Sequence, residues 1–238
     1  MTTPGAIVLV GGLGTRLRSL YRDRPKALVP VCGKPFLAHQ IERLRAQGIE
    51  RLHLAAGYRG EQLQAWIEDH PVAGMTLTAS VEPEPLGTGG GLRYAVAQAQ
   101  WSDPVTFVLN GDSLLPEVRL ADFVKAATGE ETTGLWMSTV EMAERGHYGT
   151  VELDDQNRIT AFREKSDRDG GWVNGGIYLA RAAVLEAIPT TIPCSLEQDL
   201  FPALCATGSI RAIPVPPPLL DMGTPEGIAR MERYLADR

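Results

Sequence analysis

The segment Ala6-Ile7-Val8-Leu9-Val10-Gly11-Gly12-Leu13-Gly14-Thr15-Arg16-Leu17 opens with an apolar, β-branched run that passes directly into a glycine-rich turn. The run over residues 6–10 predicts a buried first strand. A glycine-rich turn after it lets backbone N–H groups approach phosphate oxygens that a Cβ would keep away. Arg16, and Lys26 ten residues later, add two cations near this turn. The segment therefore predicts a nucleoside triphosphate site at the end of the first strand.

Strand-like and helix-like segments alternate through the first 130 residues. Strands are predicted at 51–56, 77–81 and 105–109, and helices at 36–47, 61–69 and 89–100. Pro35 in the first turn and Gly48 past the end delimit the helix over 36–47. This alternation predicts an α/β fold of three layers, α/β/α and Rossmann-like, around a mostly parallel sheet.

Beyond residue 130 the pattern becomes rich in strands. They are predicted at 133–140, 150–153, 158–162 and 176–179, with Asp154-Asp155-Gln156-Asn157 as a hairpin turn. Ser195 and Gln198 have the spacing of a capping box, and Thr224-Pro225 predicts the start of a last helix. We expect one domain over residues 1–238, with halves that meet near residue 130.

Composition and charge exclude several classes of protein. The net charge is −6 and no basic tract is present, which argues against a nucleic-acid partner. No apolar stretch approaches the roughly 18 residues of a membrane span, and the N-terminus does not resemble a signal peptide. The three cysteines lack a Cys-x-x-Cys pair, and the four histidines lack zinc-ligand spacing. A cytoplasmic protein with no membrane partner is expected.

A dinucleotide-binding fold is the alternative explanation for the first glycine-rich turn. Its G-x-G-x-x-G pattern requires a third glycine at position 17, where this chain has Leu17. That fold also needs an acidic residue about 20 positions downstream at the end of a second strand. The sequence has Lys26 to Lys34 in that region instead. Both failures argue against this alternative.

A second glycine cluster, Glu84-Pro85-Leu86-Gly87-Thr88-Gly89-Gly90-Gly91, leads into the predicted helix 89–100. Thr88 is placed to cap this helix, whose first N–H groups and positive potential would face an anion. Glycine inside a helix costs about 1 kcal/mol relative to alanine. Three adjacent glycines therefore predict that some group approaches the backbone closely there.

Polar residues follow several of the predicted strands. Asn110-Gly111-Asp112 comes after the strand 105–109, at the sheet edge where α/β proteins bind ligands. Mg²⁺ prefers one or two carboxylates together with phosphate oxygens and water, and Asp221 is a second candidate ligand. Taken alone, either aspartate also fits a turn or cap. Lys165 could bind a second phosphate, while Glu164 and Asn174 could bind sugar hydroxyls, although Glu164-Lys165 alone also fits a surface ion pair.

These residues belong to a series of ordered motifs that resembles the sugar-1-phosphate nucleotidylyltransferases over residues 5 to about 235. The motifs are Gly-Gly-x-Gly-Thr-Arg-Leu, Pro-Lys-x-Leu, Pro-Leu-Gly-Thr-Gly-Gly, Asn-Gly-Asp, Glu-Lys, Asn-Gly-Gly-Ile-Tyr and Asp-Met-Gly-Thr-Pro-Glu. Within that family the chain looks most similar to D-glycero-α-D-manno-heptose 1-phosphate guanylyltransferases, as in Tyr-Gly-Thr-Val-Glu at 148–152. It departs from many members at Ala27, where they have a second proline.

The resemblance implies Mg²⁺-dependent transfer of GMP from GTP to a sugar 1-phosphate, with release of pyrophosphate. It implies a nucleotide-binding half over about 1–130 and a sugar-phosphate-binding half over about 131–238. The catalytic residues would be Arg16, Lys26, Asp112 and Lys165, and the magnesium ligands Asp112 and Asp221. The nucleotide would contact Gly11, Gly12, Gly14, Thr15, Glu82, Gly87 and Thr88. The sugar phosphate would contact Gly149, Glu164, Lys165, Asn174 and Gly175.

Glu82 favours GTP over other nucleotides, although Glu84 competes for this role. It stands where uridylyl- and thymidylyl-transferring relatives commonly carry glutamine. A carboxylate offers only acceptors, which suits the ring N–H and the exocyclic amine of guanine.

Several alternatives stay open. The acceptor could be mannose 1-phosphate, or the chain could be an N-acetylmuramate 1-phosphate uridylyltransferase. A catalytically silent, nucleotide-sugar-binding regulatory subunit is the non-enzyme alternative. The joint presence of Arg16, Lys26, Asp112, Lys165 and Asp221 argues against the silent subunit. The oligomeric state is left open, a homo-oligomer included.

Overall fold

The computed structural model describes residues 3–12, 17, 21–144, 148–163 and 169–237. The strands in these residues are β1 (Ala6–Val10), β2 (Pro30–Val31), β3 (Lys34–Pro35), β4 (Arg51–Ala56), β5 (Thr76–Val81), β6 (Val105–Asn110), β7 (Ser113–Leu114), β8 (Leu135–Glu144), β9 (Thr150–Leu153), β10 (Ile159–Arg163), β11 (Asp169–Arg181), β12 (Ile210–Pro214) and β13 (Leu220–Asp221). The helices are α1 (Phe36–Ala46), α2 (Gly60–Asp69), α3 (Gly87–Ala99), α4 (Leu120–Ala127), α5 (Ala182–Glu186), α6 (Phe201–Ala206) and α7 (Pro225–Ala236). A 3-10 turn covers Lys26–Leu28, and a π-helical turn covers Leu196–Leu200.

Within the described residues, one nine-stranded sheet runs through both halves of the chain. Strands β5, β4, β1 and β6 lie side by side and are parallel. Strand β11 continues the sheet in the antiparallel direction, pairing with β6, β8 and β9. Strand β10 pairs antiparallel with β9, and β12 pairs parallel with β8. The predicted α/β fold with a mostly parallel central sheet is confirmed.

The three layers follow from the alternation of side chains along β1. Ala6 and Val8 belong to a buried cluster that includes residues of α1, α2 and α4. Ile7 belongs to a second cluster, on the other face of the sheet, that includes residues of α3, α5 and α6. All three side chains are fully buried. Because successive residues of a strand point to opposite faces, β1 must be covered by helices on both sides.

Some predicted boundaries agree with the structure, and others differ. The strands predicted at 51–56 and 150–153 are β4 and β9, and the turn Asp154–Asn157 joins β9 to β10. The strand predicted at 176–179 is only part of β11, which is 13 residues long. Pro35 lies at the N-cap position of α1, one residue before its first turn.

Two of the three predicted helix caps are confirmed, and one is wrong. Ser195 Oγ accepts from the Gln198 N–H at 3.3 Å, and Thr224 Oγ1 accepts from the Gly227 N–H at 3.1 Å. Helix α3, however, starts at Gly87, so that Thr88 lies within its first turn and does not cap it. The Thr88 hydroxyl instead accepts from a backbone N–H over 100 residues away, at Leu196.

None of the helices described in residues 3–237 combines the length and the apolar character that crossing a bilayer requires.

His53 is a buried titratable group in the middle of the sheet. It lies in β4 and is 2% exposed, and its ring nitrogens lie 2.8 Å from the hydroxyls of Thr78 and Ser80. Burial lowers the pKa of His53 from 6.5 to about 4. In the unfolded chain His53 is therefore protonated below about pH 6.5, whereas in the folded chain it stays neutral down to about pH 4. Stability is lost as the pH falls through this window.

We expect the free energy of unfolding to fall by about 1–3 kcal/mol more for the parent chain than for His53→Gln between pH 7 and 4.5. Glutamine keeps a donor and an acceptor for the two hydroxyls but does not titrate. Urea denaturation followed by circular dichroism at several pH values measures the difference. His70→Gln, at an exposed histidine, should keep the parent slope. Equal slopes for the parent and His53→Gln would contradict this explanation.

Candidate active site

A cavity of about 390 Å³ lies at the carboxyl ends of β1, β5 and β6. Ligands of open α/β sheets bind at this edge, because loops from several strands converge there. Among the residues predicted for the site, those that line it are Gly11, Gly12, Lys26, Glu82, Gly87, Thr88 and Asp112. The structure therefore brings together residues from four separate motifs.

The remaining predicted residues fall into two groups. Gly14, Thr15, Arg16, Glu164 and Lys165 lie outside the described residues. Gly149, Asn174, Gly175 and Asp221 are described, and they lie behind or beside the residues that line the cavity.

Lys26 and Asp112 form an ion pair inside the cavity. Lys26 Nζ lies 2.7 Å from Asp112 Oδ2, although the two residues are 86 positions apart in the chain. Lys26 is on the 3-10 turn that follows Pro25, and Asp112 is in the tight turn between β6 and β7. The side chain of Lys26 is only 16% exposed, whereas that of Asp112 is 39% exposed. A cation and a carboxylate thus meet where a ligand would bind.

Asp221 reaches the same region from the neighbouring strand. It lies in β13 and pairs with Ser113 of β7, and the Met222 N–H donates to the carbonyl of Asp112 at 2.9 Å. Asp221 Oδ1 accepts from the Gly223 N–H at 2.6 Å. Gly223 also adjoins Lys26, since a Cβ on this glycine would lie 3.4 Å from Lys26 Nζ.

The donor set at this point suits magnesium better than zinc. The described residues hold no group of three or more histidine, cysteine, aspartate or glutamate side chains that could bind a metal. Mg²⁺ uses one or two carboxylates when phosphate oxygens and water complete its coordination. Asp112, in the turn before β7, and Asp221, on the partner strand β13, supply two. The residues present therefore fit that ion.

Glu82 lies at the β5 end of the cavity, in a space that glycines leave open. Its Oε2 accepts from the Leu86 N–H at 3.3 Å. A Cβ on Gly57 would collide with its Oε1, and a Cβ on Gly11 would lie 3.4 Å from the same oxygen. Burial raises the pKa of Glu82, and the hydrogen bond from Leu86 opposes part of this effect. Gly57 was not predicted from the sequence, because its role depends on a carboxylate 25 residues away.

The glycine cluster before α3 has a different partner from the one predicted. The N–H groups of Gly89 and Gly90 donate to the carbonyl of Cys194 at 2.8 and 3.3 Å. A Cβ on Gly87 would collide with the same carbonyl, and a Cβ on Gly89 would lie 2.8 Å from Cys194 Sγ. The predicted close approach is therefore confirmed. The prediction that these two amides face an anion is wrong, because protein backbone occupies them.

Asn174 is buried and contacts Tyr178, one of the residues that line the cavity. Its Nδ2 donates to the hydroxyl oxygen of Tyr178 at 2.7 Å, and its Oδ1 accepts from the Gly176 N–H at 2.9 Å. Tyr178 is 2% exposed and lines the cavity. Burial, followed by smaller effects that include the charge of Glu197, raises the pKa of this phenol. Asn174 therefore orients Tyr178.

Gly149 and Gly175 have local structural reasons to be glycine. The Gly149 carbonyl accepts from the Asn174 N–H at 2.9 Å. A Cβ on Gly149 would lie 2.7 Å from Phe162 Cζ, and a Cβ on Gly175 would lie 2.6 Å from Ser138 Oγ. Both glycines hold the backbone close to its neighbours behind the cavity.

Sequence reasoning assigned no role to two polar residues that line the cavity: Asn110 and Tyr178. Asn110 and Tyr178 stand inside the motifs Asn-Gly-Asp and Asn-Gly-Gly-Ile-Tyr, so the motifs themselves could have identified them. Glu197 also lines the cavity; from the sequence it fits either a sugar contact or an acid in the first turn of a capped helix.

Comparisons with known proteins agree with this architecture. The family model for nucleotidyl transferases matches residues 5–236. D-glycero-alpha-D-manno-heptose 1-phosphate guanylyltransferases from Aneurinibacillus thermoaerophilus and Campylobacter jejuni are 36% and 34% identical, over 82% of this chain and 83% and 84% of their own. The mannose-1-phosphate guanylyltransferase of Mycobacterium tuberculosis is 34% identical over 94% of this chain. This chain spans 62% of that protein's length, and 64% of a similar rice protein's.

Among solved structures, HddC from Yersinia pseudotuberculosis complexed with GMP-PN aligns with a TM-score of 0.85 and 28% identity. The alignment covers 98% of this chain and 100% of HddC. The resemblance found in the sequence motifs is thereby confirmed, and this chain belongs to the nucleotidyl transferase family.

Proposed function

We propose that this chain transfers GMP from GTP to a sugar 1-phosphate, with D-glycero-α-D-manno-heptose 1-phosphate as the favoured acceptor. One observation carries the proposal: the Lys26–Asp112 pair lies in a cavity that also contains Glu82, Tyr178 and Glu197. The names of the relatives support both the guanylyl donor and the heptose acceptor. Mannose 1-phosphate is the second candidate acceptor, supported by the relatives named for it.

The reaction joins two anions. An oxygen of the sugar 1-phosphate attacks the α-phosphorus of GTP, and a new P–O bond forms. The bond from the α-phosphorus to the oxygen that bridges to the β-phosphate breaks, and pyrophosphate leaves with the electron pair. Two unit charges about 4 Å apart repel by roughly 4 kcal/mol at an effective dielectric constant near 20. Catalysis therefore depends on cations that are fixed in advance.

Among the described residues that line the cavity, Lys26 is the one with a cationic side chain. We assign it to the α-phosphate and the incoming sugar phosphate. The pair with Asp112 keeps this partly buried charge neutralised before substrates bind. The backbone at Gly11 and Gly12 can approach the triphosphate, and the predicted roles of Gly14, Thr15 and Arg16 in that binding are part of this proposal.

Asp112 and Asp221 are the proposed ligands of Mg²⁺. The bound ion would supply charge neutralisation at the phosphates and at the pyrophosphate leaving group. On the acceptor side we assign Lys165 to the sugar phosphate and Glu164 to the sugar hydroxyls. Gly149, Asn174 and Gly175 shape the acceptor side of the cavity through the contacts described above.

A matrix of pyrophosphate release tests the proposal. It combines GTP, UTP, CTP and dTTP with the 1-phosphates of the heptose, mannose and N-acetylmuramate. The expected result is the highest kcat/KM for GTP with the heptose, and weaker turnover with mannose, because one hydroxymethylene is worth about 1–3 kcal/mol in a pocket. A preference for UTP would overturn the guanylyl donor. Absence of release with every pair would favour the silent regulatory subunit.

Lys26→Ala should lower kcat by about 100-fold or more, because it removes the cation proposed to hold the two phosphates together. The melting temperature and the circular dichroism spectrum should stay close to those of the parent. Lys34→Ala is the matched control, since Lys34 pairs with Glu42 on the exposed face of α1. Near-parent turnover in Lys26→Ala would refute the assignment.

Glu82→Gln should lower kcat/KM for GTP about 10- to 100-fold and reduce the preference for GTP over UTP. The amide presents a donor where the proposed guanine contact needs acceptors. Glu84→Gln is the control, because Glu84 is exposed and outside the cavity lining. A loss of GTP preference in Glu84→Gln, with none in Glu82→Gln, would transfer the role to Glu84.

Asp112→Asn and Asp221→Asn should each weaken the binding of Mn²⁺ to the complex with a non-hydrolysable GTP analogue by at least about tenfold, because each removes a carboxylate ligand. Electron paramagnetic resonance of free Mn²⁺ measures this without turnover. Asp122→Asn, on the exposed face of α4, should bind Mn²⁺ like the parent. Unchanged Mn²⁺ affinity in both variants would exclude the proposed ligands.

A further inference from the structure

The backbone at residues 194–196 is docked onto the first turn of α3. Besides the bonds from Gly89 and Gly90 to its carbonyl, Cys194 donates its own N–H to the carbonyl of Leu86 at 2.8 Å. The Leu196 N–H donates to Thr88 Oγ1 at 2.9 Å. A segment from the second half of the chain is therefore held by the glycine cluster of the first half.

This docking leaves the segment little freedom to move. Cys194 is fully buried, and Leu196 is 4% exposed. Gly87 has a φ of +79°, and side chains at Gly87 or Gly89 would displace Cys194. Because the contact is backbone against backbone, a shift in α3 would be passed directly to residues 194–196.

The docked segment leads straight into the π-helical turn Leu196–Leu200. π-helical turns are rare and often occur at functional sites. Two hydrogen bonds of Ser195 hold the start of this turn. Its Oγ accepts from the Gln198 N–H, and its N–H donates to Asp199 Oδ2 at 2.7 Å. Leu196 and Glu197 of this turn line the cavity, and Glu197 is the charged residue of the two.

Glu197 lies near Tyr178 among the residues that line the cavity. Glu82 follows β5, whereas Tyr178, on which the charge of Glu197 acts, lies in β11. Strands β4, β1 and β6 separate these two strands in the sheet. At about 4.8 Å per strand, strands β5 and β11 are roughly 19 Å apart. Asn174, which is assigned to the acceptor side, donates to the Tyr178 hydroxyl, so a carboxylate near Tyr178 belongs to that side of the cavity.

A carboxylate on this side of the cavity repels phosphate and accepts hydrogen bonds from hydroxyl groups. Resting on the proposed function, we propose that Glu197 determines acceptor specificity by binding hydroxyls of the sugar ring. Thr88 acts as its positioning residue through the hydrogen bond to Leu196. The glycine cluster then has two roles, because it borders the nucleotide and also places the residue that reads the sugar.

Affinities for GDP-mannose and GDP, measured by titration calorimetry, test the role of Glu197 without turnover. Glu197→Gln should weaken GDP-mannose binding at least about tenfold, because a charge-assisted hydrogen bond is lost. GDP affinity should stay within about twofold of the parent value. In parallel, the KM for the sugar 1-phosphate should rise while the KM for GTP does not. Asp199→Asn is the control, since it removes a carboxylate from the same turn outside the cavity lining.

Thr88 is tested by a double-mutant cycle with Glu197. Thr88→Val removes the hydroxyl and should weaken GDP-mannose binding severalfold, whereas Thr88→Ser should restore it. In the Glu197→Gln background Thr88→Val should have no further effect on GDP-mannose relative to GDP, because the group that it positions is gone. An equal effect in both backgrounds would overturn the positioning role.

The two proposals fail in distinguishable ways. A parent that releases pyrophosphate from GTP, with unchanged GDP-mannose affinity in Glu197→Gln, overturns the role of Glu197 alone. A parent that binds neither GDP nor GDP-mannose and releases no pyrophosphate overturns the proposed function together with this inference.

Discussion

Repulsion between two phosphate-bearing substrates is the constraint on which the rest of this structure depends. Lys26 supplies a cation against that repulsion from the cavity lining, where its Nζ lies 2.7 Å from Asp112 Oδ2. Lys26 is mostly shielded from water, so its charge acts more strongly than it would at the surface. Asp112 neutralises it until a phosphate takes over. The cation is thus in place before substrates arrive, which is how fixed charges lower a barrier without reorganisation.

The single sheet places the loops of this site along one edge. Strands β5, β4, β1 and β6 are parallel, so the loops that carry Glu82, Gly11 and Asp112 all emerge at one edge. Strand β11 adds Tyr178 to the same row although it runs the other way. We interpret the row as an axis from base to phosphates to sugar. The docking of residues 194–196 onto α3 joins the second half of the chain to the glycine cluster of the first half.

Local patterns in the sequence predicted what local interactions determine. The strand predicted at 51–56 has the same bounds as β4, and the predicted cap of α7 by Thr224 is present. Both features are determined by residues within a few positions of each other. Strand β11 was predicted too short because its sequence contains four glycines, which are uncommon in strands: Gly170, Gly171, Gly175 and Gly176. Pairing with three neighbouring strands stabilises it in the fold. Thr88 was misassigned because its partner, Leu196, is 108 positions away. The cavity was predicted from its motifs, but Gly57 and Glu197 depend on contacts that only the fold creates.

The central claim is that both phosphates meet at Lys26, and a crystal structure of the ternary complex with a non-hydrolysable GTP analogue and a sugar 1-phosphate tests it most directly. The account predicts that oxygens of the α-phosphate and of the sugar phosphate both lie within hydrogen-bond distance of Lys26 Nζ, with the sugar ring beside Tyr178 and Glu197. Phosphates bound in separate places, with Lys26 still paired to Asp112 and touching neither, would contradict it.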